Sequence, residues 1–197
     1  MKKNKLILPE GYKTITITFV IAVALMIFIS DCLAYIGFVI GLVLIFIYRD
    51  SSRHIFKNTS SVLAPIDGTV SAIDHENGKY KIYCKIGLCD NHILRAPIDA
   101  DVKVKKYRRG LNLNPNSYKA SLYNEQTVLK FSDIKIKLIS GLCNHKMKRV
   151  KECNVSQGDK ISVFLDGLVV ITVPENYDLT INIGDKLTSG QSILFKK

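Results

Sequence analysis

Ala64-Pro65-Ile66-Asp67 recurs as Ala96-Pro97-Ile98-Asp99, and Gly158-Asp159-Lys160-Ile161 recurs as Gly184-Asp185-Lys186-Leu187. In the first pair a proline opens a strand without owing the ladder a donor; in the second a Gly-Asp turn precedes one. Two tetrapeptides, each used twice at a strand start, predict a β domain with an internal repeat. Short apolar or β-branched runs surround them: Thr69–Ile73, Tyr80–Ile86, Val102–Tyr107, Thr127–Phe131, Ile134–Ile139, Ile161–Leu165, Leu168–Val173 and Ser192–Phe195. Gly, Pro, Asn and Asp separate these runs. Ser117–Glu125 is the weak helix candidate in this half.

Upstream the pattern changes. From Thr14 to Tyr48 there is one charge, Asp31, which divides the stretch into Thr14–Ser30 and Cys32–Tyr48. Each arm would reach about 25 Å as a helix, near the lower limit for a membrane span. Two short spans turning at Ser30-Asp31 keep the carboxylate out of hydrocarbon, where it would cost roughly 3 kcal/mol. Lys2, Lys3, Lys5 and Lys13 precede the first arm, and Arg49, Arg53 and Lys57 follow the second, so both ends are expected on the cytoplasmic side of the cell (inner) membrane. A cleaved signal peptide fits poorly, because a second apolar arm stands where a small-residue cleavage site is required. The expected organisation is a basic arm over 1–13, a transmembrane helical hairpin over 14–48, a linker over 49–62 and a mainly β, barrel-sandwich-like soluble domain over 63–197.

The chain has 197 residues, enough for one domain and an appendage, and a formal net charge of +11 with a mean hydropathy of +0.14. The hairpin accounts for the hydrophobic excess. Without residues 1–48 the chain keeps 24 basic and 15 acidic residues, net +9. Lys103, Lys105, Lys106, Arg108 and Arg109 form one cluster; Lys146, Lys148, Arg149 and Lys151 form another. On a domain tethered to a cytoplasmic leaflet these cations face an anionic phospholipid membrane. Plain solvated faces are the alternative. A nucleic-acid partner is not expected, since no recognition motif is present.

Five cysteines (32, 84, 89, 143 and 153) in a reducing compartment predict free thiols. Cys84, Cys89, His92, Cys143 and His145 could be read as a metal set. The spacings lack C-x-x-C, and Cys84 and Cys89 fall on different expected elements, so no metal site is expected.

The A-P-x-D-G-x-V and G-D-K-x-x-x-G-Q patterns resemble the barrel-sandwich hybrid of lipoyl and biotinyl carrier domains. The architecture is implied; the carrier function is not. Taken in order, more landmarks resemble the short bacterial form of the phosphatidylserine decarboxylase family. They are Leu8-Pro9-Glu10-Gly11-Tyr12 before the hairpin, Tyr48-Arg49-Asp50 after it, Ala64-Pro65-Ile66-Asp67-Gly68 like P-x-D-G, and Asp90-Asn91-His92-Ile93-Leu94-Arg95-Ala96-Pro97 like D-x-H-x-x-R-A-P. Lys119-Ala120-Ser121 with Asn124-Glu125, Ile139-Ser140-Gly141-Leu142, and Gly184-Asp185-Lys186-Leu187 with Gly190-Gln191 complete the series. The resemblance implies a proenzyme that cuts itself at a Gly-Ser bond and turns the serine into a pyruvoyl group. That group forms a Schiff base with the substrate amine and takes up electrons as carbon dioxide leaves phosphatidylserine to give phosphatidylethanolamine. It also implies Asp67 and His92 at the active site, with Arg95 and Asp90 toward the aminophospholipid. On the residues alone, Asp67 is equally a turn residue and His92 equally a structural histidine.

The chain departs from the family at the scissile bond. It has no Gly-Ser dipeptide. Counting back from Pro174, the family's Gly-Ser falls on Asp166-Gly167, or on Gly167-Leu168 after a shift of one, and neither offers a hydroxyl or thiol. The expectation is an uncleaved, degenerate homologue without pyruvoyl, binding aminophospholipid or pairing with a second protein in a homo- or hetero-oligomer. An active decarboxylase with a displaced nucleophile such as Ser162, and a membrane-tethered scaffold without catalysis, are the alternatives. The first two require Asp67, His92 and Arg95 to converge at one cleft.

Overall fold

The computed structural model describes residues 7–51, 53–143, 150 and 152–196. The expected basic residues Lys2, Lys3, Lys5, Lys146, Lys148, Arg149 and Lys151, and His145, lie outside the described residues. The chain divides into two units, Met1–Ser52 and Arg53–Lys197.

The first unit is a pair of helices, α1 (Pro9–Phe28) and α2 (Asp31–Ile47). Pro9 occupies the first turn of α1, where its missing N–H is no loss, so the helix starts before the expected Thr14. Ser30 occupies the N-cap position of α2 without a side-chain cap bond, and Asp31 lies in the first turn, where the helix dipole favours a carboxylate. The turn is therefore Ile29-Ser30, one residue earlier than expected. Small residues form the seam. Ala22 and Ala34 are 0% and 2% exposed. A Cβ on Gly37 would lie 2.8 Å from the Ala22 methyl, and one on Gly41 would lie 2.7 Å from the Phe19 ring. Large apolar side chains, among them Val20, Ile27, Phe28, Tyr35 and Leu42, face outward. This is how helices pack where the surroundings are as apolar as their side chains. Gly11–Phe28 is long and apolar enough to cross a membrane, and α2 is shorter at 17 residues.

The second unit is mostly β. Its strands are β1 (Ser61–Leu63), β2 (Gly68–His75), β3 (Lys79–Ile86), β4 (Ile93–Arg95), β5 (Ala100–Arg108), β6 (Gln126–Phe131) and β7 (Ile134–Ser140). After these come β8 (Cys153–Val155), β9 (Lys160–Val163), β10 (Gly167–Pro174), β11 (Asp178–Leu179), β12 (Lys186–Leu187) and β13 (Ile193–Lys196). A short helix, α3 (Tyr118–Tyr123), lies within the expected 117–125 window, capped by the Ser117 hydroxyl accepting from Lys119 N–H. One sheet has the order β12-β2-β3-β10-β7-β6-β5-β8; a second has β1-β13-β11; β4 and β9 form a ribbon. The expected run Ile161–Leu165 is shorter than predicted, because the chain turns into β10 at Asp166-Gly167. β1, β4, β8, β11 and β12 span two or three residues each, too few for alternation to show in sequence.

The large sheet has one core face. Ile73, Ile82, Ile171, Ile136, Leu129 and Val104 form a continuous cross-strand row through six strands. Ile82, Ile171, Ile136 and Leu129 in that row are fully buried. Burial of such side chains, worth about 1.5–3 kcal/mol each, is what selects this register.

The sequence repeat is a repeat of hydrogen bonds. Ala64 N–H donates to Ser192 O (2.8 Å) and Ala64 O accepts from Gly190 N–H (2.9 Å); Ala96 N–H donates to Asp159 O (2.9 Å) and Ala96 O accepts from Gly158 N–H (2.9 Å). The two copies also cross: Leu63 N–H donates to Pro97 O (3.1 Å) and Arg95 N–H to Pro65 O (2.7 Å). Each Gly-Asp turn closes alike, Ser156 N–H on Asp159 Oδ2 at 3.0 Å and Asn182 N–H on Asp185 Oδ2 at 2.8 Å. Gly158 and Gly184 take φ of +83° and +94° in these turns, a conformation glycine adopts without strain.

Candidate functional site

Asp67 ends the first copy of the repeat and Asp99 ends the second. Asp67 Oδ1 accepts from Ser189 N–H at 2.8 Å, and Asp99 Oδ1 accepts from Gln157 N–H at 2.7 Å. That bond belongs to the architecture. What distinguishes Asp67 is Arg53, whose guanidinium grips both carboxylate oxygens at 2.5 and 2.6 Å in a fork of two charge-assisted bonds. The two side chains are 12% and 17% exposed. Both oxygens of Asp67 are thus taken up by donors. Neither Arg53, read in sequence as a flanking charge, nor Ser189 stood out beforehand; only the matching Asp of the repeat hinted at a shared backbone partner.

Asp90 lies in the loop after β3, where Gly87 N–H donates to its Oδ2 at 2.8 Å. It lines a cleft of about 380 Å³ with Thr69, Lys85, Asn116, Gly167 and Leu168. The cleft therefore opens beside Gly167-Leu168, one of the two positions where the scissile bond is expected from sequence, and it carries one cation and one carboxylate. Two other hollows, of about 450 and 320 Å³, gather around Asp99 and contain none of Asp67, Asp90, His92 and Arg95.

His92 and Arg95 are buried, at 1% and 5% exposure. The His92 ring donates from Nε2 to Leu88 O at 3.2 Å, and its backbone carbonyl accepts from Phe164 N–H at 2.8 Å. Arg95 Nη1 donates to Gly158 O at 2.9 Å, within the repeat. Asp67, His92 and Arg95 are neighbours through β4 and the crossed repeat bonds, and none of the three lines the cleft that holds Asp90 and Gly167. The hydrogen bonds of the repeat draw the Asp67 and Arg95 side chains inward, apart from that cleft.

Beneath the cleft lies Cys84, fully buried and paired across the sheet with Val70 and Val169. Burial, reinforced by Asp90 and Asp67, pushes its thiol up to about 12. The neutral thiol is favoured in the fold, so its contribution to stability is complete below its ordinary value of 9.0 and is lost as the pH rises toward about 12. Iodoacetamide at pH near neutral is expected to modify the exposed Cys89, Cys143 and Cys153 in the native protein and to reach Cys84 only on unfolding, as read by peptide mass mapping. Among the described residues no three His, Cys, Asp or Glu side chains gather as a metal site.

Asp166 precedes Gly167 and is 7% exposed. Its Oδ1 accepts from Cys143 N–H at 3.0 Å, and its carbonyl accepts from Gly141 N–H at 3.0 Å. Gly167 starts β10 between Ile86 and Ser140 with φ +134°. A Cβ there would lie 2.2 Å from Ile139 O and 2.9 Å from Gly141 N. No side chain from Phe164 to Ile171 carries a hydroxyl or thiol.

The family profile for phosphatidylserine decarboxylase matches residues 40–195. The chain belongs to the phosphatidylserine decarboxylase family. It is 26% identical over 205 residues to a phosphatidylserine decarboxylase proenzyme of Pelagibacter ubique (strain HTCC1062), covering 95% of each chain. It is 28% identical over 209 residues to one of Nitrosomonas eutropha, covering 97% of this chain and 95% of that one. A third, from Geotalea uraniireducens, is 26% identical over 208 residues, covering 98% and 97%. No solved structure gives a significant match. Asp67 and His92 both lie within the matched span and are buried.

Proposed function

We propose that this chain is an uncleaved member of the phosphatidylserine decarboxylase family that binds an aminophospholipid headgroup without decarboxylating it. The observation that carries the proposal is the chemistry at Asp166-Gly167-Leu168. A pyruvoyl group does not fit there: no hydroxyl is available to attack the preceding carbonyl, and the space a Gly167 side chain would need is filled by the Ile139 carbonyl.

The cleft supports the binding half of the proposal. Its volume suits a small polar headgroup, Lys85 is matched to a phosphate or carboxylate, and Asp90 to an ammonium. In this reading α1 and α2 are a membrane hairpin, residues 49–62 a linker and the β unit a barrel-sandwich-like domain on the cytoplasmic side. The small-residue seam and apolar exterior of the helices support that placement.

Intact-mass analysis of the full chain, combined with carbon dioxide release from phosphatidylserine, tests it. A single 22.1 kDa species, no release, and binding of short-chain phosphatidylserine weakened about ten-fold by Lys85→Ala are expected. Two fragments, the smaller with a blocked amino end, would overturn it in favour of a displaced nucleophile such as Ser162.

A further inference from the structure

The face of the large sheet opposite the core is cationic in register. Reading across the strands, Lys103 stands opposite Lys130, Lys130 opposite Lys135, and Lys135 opposite Thr172. In the next row on the same face Lys106 stands opposite Val128, Val128 opposite Lys137, and Lys137 opposite Val170, which adjoins Tyr83. Among the described residues none of these five lysines has an ion-pair partner. The acids nearby are Asp99 and Asp101, which line one hollow with Lys103 and Lys130; Asp74, which stands opposite Lys81 and hydrogen-bonds Tyr83; Glu76, which neutralises Lys81; and Glu152, bonded to the edge at Val104 N–H.

This arrangement works against the fold. Like charges directly opposite one another across a ladder are destabilising. Burial, then Arg108 and Lys106, hold the Lys137 ammonium below its usual range. Within the second row lie Val128, Val170 and, at its end, Tyr83; Val170 is only 8% exposed beside the neighbouring lysine stems. The result is an amphipathic surface: lysine ammonium groups, with aliphatic carbon and an aromatic ring in the same rows.

We infer that this sheet face, centred on Lys103, Lys130 and Lys135 with Lys106 and Lys137, docks on an anionic lipid surface. Two observations favour lipid over another polyanion. The same chain carries a helix long and apolar enough to enter a membrane, which keeps the β unit at high effective concentration near headgroups. The tyrosine at the end of the second row is a residue suited to a membrane–water boundary. The cleft at Gly167 lies further along the same strands, where Leu168 and Lys85 stand two residues from Val170 and Tyr83, and the inference does not depend on whether that cleft is catalytic.

The chain contains no tryptophan, so Tyr83→Trp places a single reporter on the face. The full chain would be reconstituted in discs of phosphatidylcholine, with or without one third phosphatidylglycerol, both containing a little headgroup-nitroxide lipid. Quenching is expected in the anionic discs. It should fall about five-fold or more in the zwitterionic discs, at high salt, and in Lys103→Glu/Lys130→Glu/Lys135→Glu. Should the Glu variant lose its native circular dichroism, Lys→Gln at the same positions gives the same comparison with the side-chain stems kept. Equal quenching in both disc types, or quenching untouched by removing the charges, overturns the inference. So does a short duplex oligonucleotide that displaces the face from anionic discs at physiological salt, which would assign it to nucleic acid.

Discussion

Gly167→Ser is expected to lose on the order of 3 kcal/mol of stability and to remain one uncut chain. Serine would supply the missing hydroxyl, so on chemical grounds alone it should be the repair. The geometry argues the other way. Gly167 holds φ +134°, a conformation side chains rarely adopt, and its Cβ would sit 2.2 Å from the Ile139 carbonyl oxygen. That oxygen is backbone in the centre of a sheet, held by the pairing of β7 with β10. It cannot give way without breaking the ladder that positions the strand. Asp166→Gly together with Gly167→Ser restores the full dipeptide and should fare no better. It also removes the acceptor for Cys143 N–H. Thermal unfolding and gel electrophoresis after prolonged incubation check both points. Two fragments from the double variant would mean that a single lost hydroxyl is the only lesion and that β10 can open to seat it.

The second large effect is expected at Asp67, and the molecule contains its own control. Asp67→Ala should destabilise the β unit by about 3 kcal/mol, because it strips a mostly buried guanidinium of its partner and orphans Ser189 N–H. Asp99→Ala removes the equivalent backbone acceptor, for Gln157 N–H, with no arginine involved, and should cost about 1 kcal/mol. The difference between the two unfolding free energies measures the Arg53 fork. Arg53→Ala should recover much of that difference by itself. If Asp67→Ala and Asp99→Ala cost the same, the fork adds nothing and Asp67 is a repeat residue only.

Much of the β unit was legible because its long strands alternate. The row from Ile73 to Val104 is written as period-two patterning, and the paired tetrapeptides mark true structural equivalents. The two-residue and three-residue strands were not legible, since β4 and β12 are fixed by what crosses them rather than by their own residues. The candidate site was legible as a set of positions. Its geometry was not: nothing local in sequence says that Arg53 reaches Asp67, or that Lys85 shares a cleft with Asp90. Those meetings depend on long-range pairing across the repeat. The helix pair was legible in composition, whereas its seam depends on which small residues, Ala22 and Gly37 among them, meet across the turn.

The pairing of β1 with β13 joins the first strand of the β unit to its last, with Ser61 opposite Lys196. A pairing between strands so far apart in sequence closes only when most of the β unit is in place. Until then β1 and β13 each present an unpaired edge, and a substitution that breaks either strand leaves the other as a template for a second chain.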